Sequence, residues 1–352
     1  MMKKFRTLKF HEAILEATDQ MLASDKSVKL MGLGVTDPVG IFGTTKDLCK
    51  KYPTQVIETP TAESGTMGIA IGSALVGARP IITHQRVEFA LLAIEQITNQ
   101  AAKWHYMTGG KSSVPLFIRL IVGRGWGQGP QHSQSLESWF AHIPGLKVVA
   151  PSNSYDAKGL SIAAIRDNNP VVMIEHRWLH NTYGDVPEEI YETEIGKARI
   201  ARFGRDISIV THSYMVTEAL AAAEFLKTLG IDAEVVDIRS YRPLDIETIS
   251  GSIKKTGHLV TLDNGWIKFG IGSEIISSVV SKNIAFFKSS PKRLGMADVP
   301  TPSTRALADF AYPGIRNIVE AVCDQLGKEA STILNHIPPV SDKPGQSFKG
   351  PF

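Results

Sequence analysis

The chain has 352 residues, enough for two domains, and its 43% hydrophobic and 21% charged residues exclude a disordered or fibrous protein. Thirty-eight Lys and Arg against 35 Asp and Glu leave a net charge of +3, spread along the chain, which gives no footprint for nucleic acid. No apolar run reaches the ~20 residues of a membrane helix, and the two cysteines, Cys49 and Cys323, exclude a disulfide framework or a cysteine metal site.

In chain order, Phe10 to Leu22 predicts an amphipathic helix and Val28 to Val35 a short buried strand. Gly65 to Val76 predicts a helix of small residues (Gly68, Ala70, Gly72, Ala74), suited to packing closely on a sheet or a ligand. Pro80 to Gln85 reads as a strand and Phe89 to Met107 as one long helix. Strands follow at Pro115 to Val122, Leu146 to Ala150 and Val171 to Glu175, with a helix over Asp156 to Arg166. This alternation predicts a mostly parallel, helix-covered sheet. Asn181 to Glu194 reads as a polar connector. A second series then begins: strands at Ile207 to Thr211, Glu234 to Ile238 and His258 to Asp263, with helices at Val216 to Leu229 and Ile271 to Val280. The expected domains are therefore 1–190 and 200–330, followed by an irregular arm over 335–352. A soluble, cytoplasmic α/β protein is expected.

Absent motifs narrow the chemistry. The glycines of Gly123-Arg-Gly-Trp-Gly-Gln-Gly129 fall at every second position, so the dinucleotide fingerprint fails. No phosphate-binding G-x-x-x-x-G-K-[ST] occurs, and no histidine pair has metal-ligand spacing. Two stretches remain. In Glu58-Thr-Pro-Thr-Ala-Glu-Ser-Gly65, Glu63 opens the small-residue helix, where it is either a cap or a placed carboxyl group. In Gln131-His132-Ser-Gln, a glycine-rich loop delivers one histidine, either a surface residue or an acid–base group.

Together with Ala93-Ile-Glu-Gln, Pro144-Gly-Leu-Lys-Val-Val, Ile165-Arg-Asp-Asn-Asn-Pro170, Arg242-Pro-Leu-Asp245, Gly270-Ile-Gly272 and Ala297-Asp-Val-Pro300, these stretches resemble the beta subunit of thiamine-diphosphate-dependent 2-oxoacid dehydrogenases. The resemblance covers about residues 5–325 in one register. It implies an N-terminal pyrimidine-binding domain and a C-terminal transketolase-type domain. It also implies an alpha-type partner in an α₂β₂ assembly, because the Gly-Asp-Gly…Asn motif that holds Mg²⁺ and diphosphate is missing. The only Gly-Asp here, Gly184-Asp185, is followed by Val186. Mg²⁺ would then be held by the partner.

On this resemblance Glu63 faces the pyrimidine nitrogen of the cofactor and drives its imino form. Phe89 packs on the pyrimidine face, unless it is plain core. His132 hydrogen-bonds a substrate carboxylate or a developing enolate. A K⁺ site is implied at Leu116, Ala164, Ile165, Asp167 and Asn169, although Asp-Asn-Asn-Pro equally suits a turn.

Some residues depart from the family. Leu33 and Gly34 follow Gly32, where an acidic residue is usual. Thr83-His84-Gln85-Arg86-Val-Glu88 is more polar than expected, and Trp126, Gln128 and His176-Arg-Trp-Leu-His180 are unusual. Extra polar groups suggest a substrate with hydroxyls or charge. The activity implied is decarboxylation of a 2-oxoacid with acyl transfer, to a lipoyl acyltransferase in the dehydrogenase version. A transketolase-like transferase acting on a sugar and a non-catalytic partner subunit are the rivals.

Overall fold

The computed structural model describes residues 5–125, 128–341 and 343; Trp126 and the end of the expected arm, from 344 on, lie outside the described residues. The described residues fall into two compact units. One holds the chain up to Gly123 together with Trp139–Ile195, and the other holds Arg124–Ser138 and the chain from Gly196 onward. Residues 124–138 thus leave the 1–190 stretch expected as one domain.

The first unit is built on strands β1 (Phe5–Lys9), β2 (Val28–Gly32), β3 (Val56–Glu58), β4 (Arg79–His84), β5 (Phe117–Val122), β6 (Lys147–Val149), β7 (Val171–His176) and β8 (Tyr183–Pro187). Six of them form a parallel run in the order β6-β7-β5-β4-β2-β3. Every residue of β5 and β7 is buried, as expected where helices cover both faces of a parallel sheet. Helices Phe10–Ser24, Glu63–Leu75 and Ser154–Arg166 supply cover. The last begins at Asn153, whose side chain accepts from the Asp156 N–H at 2.9 Å.

Two elements differ from the sequence reading. The polar connector is partly a strand: β8 pairs antiparallel with β1, Thr7 opposite Asp185. β8 mixes Tyr183, Gly184 and Asp185 with Val186 and Pro187, so no clear alternation marks it. The long helix expected over Phe89–Met107 is broken into a 3₁₀ segment (Val87–Ala93), a π segment (Gln96–Ala101) and a short α-helix (Ala102–Met107). Such mid-helix departures occur often at functional sites.

The second unit is a five-stranded sheet in the order β14-β13-β10-β11-β9. Its strands are β9 (Arg199–Arg202), β10 (Ile207–Thr211), β11 (Ala233–Asp237), β13 (Leu259–Trp266) and β14 (Lys292–Met296); a short β12 (Ser240–Arg242), which follows β11 in the chain, is not part of this sheet. Only β9 runs antiparallel. Helices Met215–Thr228, Ile246–Thr256, Ile271–Asn283 and Ile315–Gln325 cover it. Of the expected arm, Ile337 is buried, and the Val340 N–H donates to Asp309 Oδ1 at 2.9 Å.

Inside the first sheet, Arg119 on β5 and Glu175 on β7 form a fully buried two-bond pair, at 2.7 and 3.0 Å. Burial opposes the Glu175 charge, but the Arg119 guanidinium and His180 outweigh it and hold the carboxyl below its usual range. Removing one partner strands a buried charge. Glu175→Ala is expected to lower stability by about 3–5 kcal/mol, checked by urea denaturation followed by circular dichroism.

Candidate active site

The carboxyl ends of β2 and β4 and the chain following β3 frame a cavity of about 160 Å³. Open parallel sheets bind ligands at such ends. Gly32, Thr59, Glu63, Thr83, His84 and Phe89 are among its walls. Gly32 lets the backbones close in: a Cβ there would lie 2.7 Å from the Thr83 carbonyl oxygen.

Glu63 is the first residue of its helix, and the residue in the capping position is Ala62, which makes no side-chain cap bond. Among the described residues no group donates to the Glu63 carboxylate. The capping role is therefore not filled by a hydrogen bond, though the helix dipole still favours a negative charge here. Phe89, half-buried on the 3₁₀ segment, lies on the same cavity. A carboxyl without a protein partner, an aromatic ring and a glycine cradle fit a flat, nitrogen-bearing ring.

Of the polar departures, Thr83, His84 and Gln85 line this cavity, whereas Arg86, Glu88, Gln128 and the His176–His180 segment do not. His84 is only 7% exposed, and its Nε2 has no hydrogen-bond partner among the described residues. Burial lowers its pKa to about 4, so it is neutral near pH 7. Thr83 Oγ1 is likewise buried and unpartnered. Leu33 lines the cavity, and the turn after it is held by Glu58, which accepts from the Gly34 N–H at 2.5 Å and the Thr36 N–H at 3.0 Å.

His132 lies in the second unit, half-buried at the end of the short helix Gly129–His132. Its neighbours Pro130, Gln131 and Gln134 line an open groove of about 500 Å³ with Trp266 and Asp298.

Among the oxygens expected for K⁺, those of Ile165 and Asp167 bond protein cations and that of Leu116 a backbone N–H. The Ile165 carbonyl accepts from Arg79 Nε at 3.0 Å, and the Asp167 carbonyl from Arg79 Nη2 at 3.0 Å. The Asp167 carboxylate pairs with Lys147 and also accepts from the Asn169 N–H at 2.9 Å. Leu116 O accepts from the Val171 N–H at 2.9 Å. No group of three His, Cys, Asp or Glu side chains placed to hold a metal ion occurs among the described residues. Gly184-Asp185 is no metal loop either. It lies within β8, where Asp185 Oδ1 accepts from Thr7 Oγ1 at 3.0 Å.

Residues 6–181 match the transketolase pyrimidine-binding domain, and residues 196–318 match the transketolase C-terminal domain. The chain is 42% identical over 317 residues to the mitochondrial pyruvate dehydrogenase E1 component subunit beta of Bos taurus, covering 88% of each. The chain belongs to the beta-subunit family of thiamine-diphosphate-dependent 2-oxoacid dehydrogenases. It is also 40% identical over 326 residues to the acetoin:2,6-dichlorophenolindophenol oxidoreductase subunit beta of Cupriavidus necator, covering 90% of this chain and 96% of that one. Among solved structures, the split-gene transketolase in its inactive beta4 tetramer shares the fold, with a TM-score of 0.74 at 24% identity over 91% of this chain and 98% of that one.

Sequence reasoning found Glu63 and Phe89 for this cavity but treated His84 only as a departure. The signal was the position of His84 at the end of the run Pro80-Ile-Ile-Thr83, which reads as a buried strand.

A histidine buried neutral favours folding fully above its ordinary pKa of 6.5, and that contribution is lost as pH falls toward about 4. His84→Phe should therefore flatten the loss of stability between pH 6.5 and 4, by up to about 3 kcal/mol at the acid end. Urea midpoints for both proteins across that range check it.

Proposed function

We propose that this chain is the beta-type half of a two-component thiamine-diphosphate enzyme that decarboxylates a 2-oxoacid and transfers the acyl group. The observation that carries this reading is the meeting of Glu63 and Phe89 on one cavity, with the Glu63 carboxylate free of capping bonds. The relatives named as pyruvate dehydrogenase and acetoin oxidoreductase beta subunits support it. When bound, thiamine diphosphate supplies a carbon nucleophile at C2 of its thiazolium.

In this reading Phe89 packs on the pyrimidine, and the Glu63 carboxyl shares a proton with its ring nitrogen. His132 donates a hydrogen bond to the substrate carboxylate or to the oxygen where negative charge develops. The chain supplies half the site. Its partner is an alpha-type subunit that holds Mg²⁺ and the diphosphate, in an α₂β₂ assembly, with a lipoyl acyltransferase as acceptor. The strand geometry of Gly184-Asp185 supports this division.

A second reading, a transferase acting on a sugar, draws support from the polar wall of Thr83, His84 and Gln85, which offers hydrogen bonds to hydroxyls. Turnover assays of the assembled enzyme with 2-oxoacids and with ketoses separate the two.

Glu63→Gln in the complex with the alpha-type partner is expected to slow H/D exchange at C2 by about 10²- to 10⁴-fold. Because no cap bond is lost, its stability should change by about 0.5 kcal/mol or less. Normal exchange with a lowered melting temperature would return Glu63 to a structural role. His132→Ala should leave cofactor affinity intact and lower turnover by about 10²-fold or more, read by calorimetry and by steady-state rates.

A further inference from the structure

The segment that carries His132 ends in Ser135, Leu136 and Glu137, all buried in the second unit. They pack against the end of β13. A Cβ added at Gly265 would lie 3.1 Å from Ser135 O and 3.5 Å from Asp263 Oδ1. Ser135 Oγ donates to Glu137 Oε1 at 3.0 Å. The same end of β13 carries a buried row. His212, just past β10, sets Nε2 3.3 Å from Asp263 Oδ1, and its Nδ1 is 2.6 Å from the Tyr241 hydroxyl on β12. Asp263 also accepts from the Gly265 N–H at 2.9 Å. Asp237 on β11 faces the same row and is balanced by Arg199, at 3.3 Å.

Two carboxyl groups and one imidazole, all nearly inaccessible, cannot carry arbitrary charge. An imidazolium at His212 balances an ionised Asp263. A second carboxylate at Glu137 would leave one buried charge uncompensated, so Glu137 retains its proton. We propose that Glu137, His212, Asp263 and Tyr241 are positioning residues, a clamp of shared protons that fixes the His132 segment and loosens as pH rises. The catalytic value of the clamp rests on the role of His132 given above; the clamp itself does not.

The charge directions agree. Burial, with the Asp263 charge, pushes the Glu137 carboxyl up. Burial opposes charge on His212, but the Asp263, Glu137 and Asp237 carboxyls outweigh it and raise its pKa. Burial also opposes charge on Asp263, yet His212 and the backbone N–H groups hold it below its usual range. Groups raised in this way contribute fully below their ordinary values of 4.5 and 6.5, and lose that contribution as pH rises through the folded values. Asp263 has the opposite sign and matters only in acid.

The test is hydrogen exchange of residues 129–138, corrected for intrinsic rates, in the complex purified through a tag on this chain. Wild-type protection should be greatest near pH 6 and fall as pH rises further. At neutral pH Glu137→Ala should speed exchange about tenfold or more, while Glu137→Gln, which keeps the neutral hydrogen-bonding form, should match the wild type. His212→Gln should loosen the segment and weaken, not abolish, its pH dependence. Protection that ignores pH, or Glu137→Gln as loose as Glu137→Ala, overturns the clamp. Pyruvate turnover separates the underlying reading. If Glu137 acts through His132, adding Glu137→Ala to His132→Ala slows the enzyme no further. A His132→Ala enzyme with an unchanged rate would remove the catalytic role of His132, whatever the exchange shows.

Discussion

The candidate site depends on how closely β2 and β4 approach at their carboxyl ends. In the parallel ladder Gly32 lies opposite Thr83, and no side chain fits between them, since a Cβ on Gly32 would meet the Thr83 carbonyl oxygen at 2.7 Å. The same residue lies opposite Glu58 of β3 on its other side. Three strand ends therefore finish side by side. The chain leaving β3 reaches Glu63 within five residues, and the chain leaving β4 reaches Phe89 within five. Any larger residue at position 32 would separate the strands and open the cavity from below.

Charge is handled differently in the two units. In the first, His84 and His180 are buried and neutral, each with its pKa lowered to about 4, chiefly by burial. Arg119 and Glu175 satisfy one another nearby. In the second, His212 is buried yet drawn toward its charged form by surrounding carboxyls. Acid weakens the neutral His84 and His180, whereas alkali weakens the charged His212.

Much of the fold was legible because the strands of both parallel sheets are apolar runs bounded by helices with ordinary periodicity. Ile207–Thr211 and Val171–His176 read directly as buried strands. The edge strands escaped: β9 is Arg-Ile-Ala-Arg, half-buried throughout, and β8 is mixed, so neither alternates clearly. The break in the Phe89–Met107 helix escaped as well, because 3₁₀ and π turns keep nearly the same apolar spacing as an α-helix. At the site, Glu63 and Phe89 were legible from their motif. The commitment of the Asp167 and Ile165 oxygens to Arg79 and Lys147 was not, since it joins residues up to 88 positions apart. Likewise residues 124–138 join the second unit through contacts such as Arg124 over Tyr312 and Ser135 beside Gly265, which no local pattern announces.

The central claim is that this chain holds half of a cofactor site, the pyrimidine half. Titration calorimetry of thiamine diphosphate with Mg²⁺ tests it most directly, on the chain alone and on its complex with the alpha-type partner. The account predicts tight, Mg²⁺-dependent binding only to the complex, because Gly184 and Asp185 are locked in the β1–β8 ladder and no metal-ligating group of three exists among the described residues. Submicromolar, Mg²⁺-dependent binding by the isolated chain would contradict it.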